Sequence, residues 1–252
     1  MATPIDLTEN YAHLSKAPIV EAALDIRVVS SVKWDENILQ NELKHRLPDF
    51  PKVEPVSEAR FQFVPQGKPG SSKVENLGCV GFRLDSNDKL HVVQFNKGSF
   101  VFSRLKPYEN WEQFSREAFR LLAIYNDLLG PKQVGRIGLR FINRVAIKQD
   151  TPEYANYFQY PPESLKGLNW PLTGFLHHDV MKVPETSYSV NLIKTIQNVG
   201  GVSSLVLDID VFMQEHFGYN ETNIKKCVEE MRLVKNKIFF NFLTKQLIEG
   251  MQ

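Results

Sequence analysis

Apolar and polar side chains alternate along residues 18–29, where Ala22, Leu24 and Ile26 share one parity. Because successive side chains of a strand point to opposite faces of a sheet, this period of two predicts a half-buried strand. Asp35 can then cap a short helix that ends before the next proline. The chain therefore begins its pattern with a strand followed by a helix.

Four more predicted strands precede a long helix. They cover residues 60–64, 79–84, 90–95 and 99–106. A loop rich in Gly, Pro, Ser and Lys, residues 65–73, joins the first two and is expected to be mobile, whereas the last two flank a turn that ends at Gly98. Asn110 can cap a helix whose apolar residues recur at helical spacing until Gly130 stops it.

The second half of the chain repeats this order of elements. Strands are predicted at residues 133–147, 174–183, 186–196 and 203–212, and Asn220 opens a terminal helix. The segment between the first two of these strands, residues 151–171, contains one helical turn near Ser164. Its aromatic side chains are expected to pack over the sheet or against a partner subunit; they are Tyr154, Tyr157, Phe158, Tyr160 and Trp170.

Together these patterns predict an α+β fold, in which long helices starting at Asn110 and Asn220 cover one face of antiparallel sheets. Residues 1–131 and 132–252 would form two similar halves that join edge to edge into one continuous globular unit. The two halves share patterning with little identity, so an internal duplication depends on the order of elements, which is similar to that of the TATA-binding protein.

Composition limits the class of protein and of partner. The 252 residues are 42% hydrophobic and 23% charged, as in ordinary globular proteins, and the formal net charge is only +1. The whole molecule therefore exerts little attraction on nucleic acid or anionic lipid. Cys79 and Cys227 lack metal-binding spacing and are expected to be reduced thiols. No signal peptide and no run of about 18 apolar residues is visible, so we expect a cytoplasmic protein without membrane contact.

The strongest local signal is a row of arginines in residues 133–144. On a strand, Arg136, Arg140 and Arg144 point one way, with Gly138 between the first two, while the apolar residues between them point the other way. Three like charges at this spacing repel one another unless carboxylates or a bound polyanion lie opposite. Arginine is suited to two-point contacts with either group.

Two interpretations of this row stay open. In the first, a sheet face of alternating charge satisfies every arginine internally; the residues assigned to it are Glu21, Asp25, Asp85, Asp208 and Asp210 with Arg27, Arg60, Arg83, Arg104 and Lys106. In the second, a basic surface binds a phosphate-bearing ligand, a nucleic acid or a partner. The candidate binding residues of that surface are Arg136, Arg140, Arg144, Arg27 and Arg104.

The sequence offers little sign of catalysis, and no metal or cofactor is predicted. Asp208 and Asp210 share a strand face at a spacing that also occurs in magnesium sites, but arginine-rich neighbours favour ion pairing. The chain has no nucleophile elbow, no phosphate-binding glycine loop and no dinucleotide fingerprint. These observations favour a protein that is not an enzyme.

Three stretches together resemble a known family: residues 14–22, the spacing of Tyr108, Trp111 and Phe114, and residues 136–144, with residues 207–210 fitting the same pattern. The family is a sporadically distributed family of uncharacterised prokaryotic proteins of this length, and the resemblance covers nearly the whole chain. It implies no catalytic residues. Its patchy occurrence implies genes that move horizontally, which is common among defence-associated accessory genes.

These observations lead to two functional hypotheses. The first is an intracellular binding or accessory module of a mobile or defence-associated gene system. It would act through contacts with a protein, with a second copy of itself or with nucleic acid. The alternative is a magnesium-dependent enzyme that handles phosphate with Arg136, Arg140 and Arg144 beside Asp208 and Asp210.

Overall fold

The protein has an α+β fold built on one ten-stranded antiparallel sheet, as seen in a computed structural model. The structure describes residue 6 and residues 8–30, 34–63, 72–147, 153–163, 167, 170, 172–199 and 201–252. Among these residues, no helix is both long enough and apolar enough to cross a membrane. The predicted loop at 65–73 and the predicted turn near Ser164 lie largely or wholly outside the described residues.

Two series of strands follow one another along the chain, and each is followed by a long helix. The strands are β1 (Ile19–Ser30), β2 (Lys52–Phe63), β3 (Ser72–Asp85), β4 (His91–Asn96), β5 (Ser99–Leu105), β6 (Pro131–Ala146), β7 (Leu176–Lys182), β8 (Tyr188–Val199), β9 (Val202–Met213) and β10 (Phe217–Gly218). The helices are α1 (Glu36–Arg46), α2 (Trp111–Leu129), α3 (Glu221–Phe242) and α4 (Lys245–Glu249), with a 3-10 turn at Tyr154–Asn156.

The sheet is continuous across both halves of the chain. Its strand order is β2-β3-β4-β5-β1-β6-β9-β8-β7, and β10 adds to β6. The central pair is β1 with β6, and each of these strands also pairs with the last long strand of the meander that follows it. The α+β class and the antiparallel pairing are thus confirmed, whereas the duplication and the single-faced layer of helices stay predictions.

The predicted helix boundaries depend on side-chain caps that the structure contains. The side chain of Asn110 accepts a hydrogen bond from the amide of Gln113 at 2.8 Å, and that of Asn220 accepts one from Asn223 at 2.9 Å. Each bond satisfies one of the amides that a helix start leaves without a partner. Gly130 ends α2 with a φ of 49°, a left-handed conformation that glycine adopts at little cost.

Strand β2 is longer than its predicted core of residues 60–64. It begins at Lys52 and includes Pro55, which lies opposite Phe82 of β3. Proline cannot donate to a sheet ladder, so its presence argues against a central strand. Because β2 lies at the end of the sheet, only one of its edges pairs within the sheet, and the proline is tolerated there.

One face of the central strands forms the core. Leu24 of β1 lies opposite both Phe102 of β5 and Leu139 of β6, and all three side chains are fully buried. The ring of Phe141, in the same face, lies 6.1 Å from that of Phe114 in α2. The same ring is 4.1 Å from the amine of Lys235 in α3, so Phe141 contacts both long helices.

We predict that Phe141→Ala lowers the free energy of unfolding by about 3–5 kcal/mol, because the loss of a buried ring leaves a cavity that its neighbours fill only partly. Phe141→Leu should cost less, since it removes less volume. Urea unfolding followed by circular dichroism measures both changes. Val29→Ala, at a side chain that is 55% exposed, is the control and should change stability by less than about 0.5 kcal/mol. A Phe141→Ala protein as stable as the control would contradict the shared contact.

Candidate arginine face of the sheet

The arginine row lies on the face of the sheet opposite the core, which we call the arginine face. In β6 the buried Ile137, Leu139 and Phe141 alternate with Arg136 and Arg140, as the period of two predicts. Pairing continues this alternation into the neighbouring strands. Across the sheet, Arg140 lies opposite Ala23 of β1 and Asp210 of β9.

A groove of about 750 Å³ runs along this face. Small side chains form part of its lining, and charged side chains form much of the rest. The small residues are Ala23, Ser99, Val101, Ser103 and Gly138; the charged residues are Glu21, Asp25, Arg27, Arg83, Arg136, Arg140 and Asp210. The lining therefore contains both signs of charge in close alternation.

Arg136 is held between two carboxylates from the strands on either side of it. Its guanidinium pairs with Asp25 of β1, and its Nη2 lies 3.1 Å from Oδ2 of Asp210 in β9. A Cβ at position 138 would overlap this guanidinium, so Gly138 leaves the space that Arg136 occupies along the strand. Burial raises the pKa of Asp25, although the nearby Arg136 acts in the opposite direction.

Arg140 makes a two-point contact with Asp208. Its Nε donates to Oδ1 at 2.8 Å and its Nη2 donates to Oδ2. These hydrogen bonds raise the pKa of Arg140. The aspartate is buried, whereas the arginine side chain is 49% exposed. One side of the pair is thus enclosed in protein, and the other remains accessible from solvent.

Arg144 and Arg27 are held less firmly. The Nη2 of Arg144 donates to Oε1 of Gln197 at 3.2 Å, and in the described part of the chain no carboxylate lies within 4.0 Å of its guanidinium. Arg27 has a side chain that is 66% exposed, and its Nε lies 3.8 Å from Asp25. An exposed pair at this distance contributes little to stability. Arg27 keeps most of its capacity to bind an external group, whereas the Nε of Arg144 is buried.

Arg104 does not belong to the arginine face, contrary to the expectation from parity. It lies opposite Ala22, in the core face, and is only 4% exposed. Its Nε donates to Oε2 of Glu109 at 3.1 Å. The alternation in β5 carries Phe100 and Phe102 inward, so the residue two positions further also points inward. The positions of these two phenylalanines in the sequence would have predicted that Arg104 lies on the core face.

The proposed magnesium ligands are both occupied by cationic side chains. Asp208 binds Arg140, and Asp210 binds Arg136 and also accepts from Nδ2 of Asn191 at 3.3 Å. Among the described residues, no three His, Cys, Asp or Glu side chains come together as a metal site would require. The structure thus brings the two aspartates to one face, as predicted, but places guanidinium groups against them.

The internal-pairing hypothesis accounts for Arg136 and Arg140, but sequence reasoning missed some of the partners. Asn191 and Gln197 are neutral residues of β8 that lie beside Asp210 and Arg144. The sequence shows that both residues lie on the same face of β8. Which charged residues they contact becomes known only from the pairing of β8 with β9. The side chain of Arg60 lies outside the described part of the structure.

The chain matches none of the protein-family models compared with it, and no curated protein is similar to it. A function therefore has to follow from the side chains of the arginine face and from the cavities of the fold. Fold class by itself does not define function, because one fold carries many different sites.

We predict that Arg140→Ala lowers the free energy of unfolding by about 1–3 kcal/mol, because it leaves the buried Asp208 carboxylate without its partner. Asp208→Ala should lower the free energy of unfolding by less, because the half-exposed guanidinium of Arg140 can be hydrated in the absence of its partner. Chemical unfolding of both single variants and the double variant measures the coupling between the two side chains. Arg27→Ala is the control, expected within about 0.5 kcal/mol of the parent. Equal stability of Arg140→Ala and the parent would show that the row is not structural.

Proposed function

We propose that the chain is a binding module that holds a protein partner on the arginine face. The observation that carries this proposal is the combination of internal pairing and exposure. The carboxylates neutralise Arg136 and Arg140, yet Arg27 and half of Arg140 stay accessible. Such a face presents both signs of charge to an incoming surface, and arginine is enriched at protein interfaces.

The mixed charge favours a protein over a nucleic acid. A surface for nucleic acid gains affinity by neutralising phosphates with lysine and arginine. Here Glu21, Asp25 and Asp210 line the same groove as the arginines, and they would repel a phosphate backbone. The net charge of +1 for the whole chain adds no general attraction. A protein can place its own cations and carboxylates opposite such a pattern.

The shape of the groove supports the same proposal. Ala23, Ser103 and Gly138 project little from the sheet, so a partner could approach the backbone closely between charged side chains. Glu21 is oriented by Ser103, whose hydroxyl donates to its Oε1 at 2.9 Å. Groups that are oriented before binding lose less conformational entropy when the partner arrives.

A magnesium-dependent phosphate enzyme is not supported by a specific contact. Its proposed ligands, Asp208 and Asp210, each face a guanidinium at hydrogen-bonding distance. A metal ion would have to displace Arg140 from the buried Asp208 and the largely buried Arg136 from Asp210. We therefore retain the binding module alone.

We also propose that the two halves arose by internal duplication, with α2 and α3 packed on one face. The strand order supports this, because β1 and β6 each pair with the last long strand of their own meander, and a long helix follows. The contact of Phe141 with both helices is a second support. Alignments of many relatives test the duplication: profiles of residues 1–131 and 132–252 that share no detectable similarity would count against it.

We also propose that the protein is cytoplasmic, because its two cysteines are not joined in a disulfide. Cys79 and Cys227 are both free, and the first is buried. The role in a mobile or defence-associated gene system, and the prokaryotic origin, depend on the family resemblance alone. Genes that lie beside the coding sequence would test them, since unrelated neighbours in every genome would remove their support.

We predict that a photoreactive residue in place of Val101, on the groove, captures a protein when the chain is expressed in its native cell. Arg27→Glu should reduce this capture at least several-fold, because it reverses an exposed charge of the proposed interface. The matched control is Lys226→Glu, which makes the same change of charge on α3 at a similarly exposed side chain. Mass spectrometry of the cross-linked product identifies the partner and the contact.

Three outcomes would contradict this function. If Lys226→Glu reduces capture as much as Arg27→Glu does, the reduction is a general effect of charge. Capture of RNA or DNA instead of protein, with binding that weakens steeply as salt rises, would favour the nucleic-acid hypothesis. No product at position 101, in cells where the chain is folded, would remove the arginine face as the binding surface.

A further inference from the structure

A second cavity, of about 360 Å³, lies on the helical side of the molecule. It is enclosed by residues 11–19, by the start of α2 and by the middle of α3. Aromatic rings provide much of its wall; they belong to Tyr11, Tyr108, Trp111, Phe239 and Phe240. Polar and charged side chains form the rest of the lining, so the pocket combines aromatic walls with groups that can orient a ligand.

Lys235 is the polar group that makes this pocket unusual. It lies four residues after Met231 and four before Phe239, both buried, so it occupies the apolar stripe of α3. Its amine is 4.1 Å from the ring of Phe141. In the described part of the chain, no carboxylate lies within 4.0 Å of this amine. The side chain of Lys235 is half-buried, and a cation that is partly removed from water is usually paired in proteins.

The neighbouring cation is fixed in place. Arg232 lies 5.1 Å above the ring of Trp111, and its Nη1 donates to Glu229 at 3.4 Å. The indole of Trp111 donates to the other oxygen of Glu229 at 2.7 Å. The carboxylate of Glu229 is therefore engaged by two other groups.

Several titratable groups line the same pocket. Tyr11 and His13 belong to the segment before β1, and Tyr108 and Glu109 to the segment that leads into α2. Glu112 lies in the first turn of α2, and Arg232 lies in α3. Glu109 is paired with Arg104. Burial, with a smaller effect of Arg232, lowers the pKa of Lys235 to about 7. The amine of the empty pocket is therefore largely neutral above neutral pH.

We propose that this pocket binds a small aromatic carboxylate, whose carboxylate group is the missing counter-ion of Lys235 and whose ring lies against Tyr108 and Trp111. The amine of Lys235 can pair with the ligand's carboxylate, because among the described residues no carboxylate lies within 4.0 Å of it. The aromatic walls bury the ring, which supplies apolar affinity. The proposal is independent of the arginine face, which lies on the other side of the sheet.

Binding of this kind is coupled to protonation. The carboxylate binds the ammonium form, so it raises the pKa of Lys235 and draws in a proton wherever the empty pocket holds a neutral amine. Affinity should be highest below pH 7 and should fall by up to about tenfold for each pH unit above it. Near pH 8 the complex should take up about one proton for each molecule bound.

Calorimetric titration with 2-naphthoate between pH 6 and pH 9 tests the proposal. Buffers of different ionisation enthalpy reveal the proton uptake, and 2-naphthalenemethanol is the neutral probe of matched shape. We expect 2-naphthoate to bind at least tenfold more tightly than the alcohol at pH 6. Lys235→Met, which keeps an unbranched stem, should remove this preference. Lys235→Arg, with a permanent charge, should retain binding but lose its pH dependence over this range.

Each of the following results would overturn the proposal. In the first, the alcohol binds as tightly as 2-naphthoate, which would mean that the pocket recognises the ring and not the carboxylate. The affinity of the parent protein does not change between pH 6 and pH 9, or binding takes up no proton. The parent protein binds no 2-naphthoate at pH 6. Circular dichroism establishes whether each variant is folded. If Lys235→Met does not fold, Lys235→Arg still provides the test of pH dependence.

Discussion

The rest of the structure depends on the antiparallel pairing of β1 with β6. This register places Leu24 opposite Leu139 and aligns the apolar parity of both strands on one face. A shift by one residue would turn every buried side chain of a strand outward, so the hydrophobic core holds the register in place. The same pairing joins the two series of strands into one sheet. The core, the continuity of the sheet and the arginine face all follow from it.

The arginine face is the necessary consequence of that register. Once the apolar parity is buried, the other parity of β6 brings its arginines beside the odd-numbered residues of β1 and the even-numbered residues of β9. Aspartates at those positions neutralise Arg136 and Arg140, and Gly138 gives the first of these guanidiniums its room. Internal pairing and partner binding are therefore compatible, because pairing holds the side chains in positions where their exposed sides can meet a partner.

The core side contains two cations whose environments differ. Arg104 is paired with Glu109 as part of the fold. Lys235 finds the ring of Phe141 and the charge of Arg232, and among the described residues it has no carboxylate at ion-pairing distance. A cation that its own fold neutralises contributes to stability. When the fold does not neutralise a cation, burial lowers the pKa of that cation, and an anion can bind beside it. This difference is why the first is structural and the second is a candidate binding group.

From the sequence alone, period and caps determined the α+β class, the strands of the central sheet, the starts of α2 and α3 and the common face of Arg136 and Arg140, because these depend on neighbours in the chain. The full length of β2 became visible only from its place at the edge of the sheet, and the contacts of Asn191 and Gln197 only from the pairing of β8 with β9. Lys235 has the clearest dependence on tertiary structure. In sequence it is one lysine on an amphipathic helix. Only the packing of α3 against Phe141, beside the segment before β1, places its amine in a pocket where no carboxylate of the described residues lies within 4.0 Å of it.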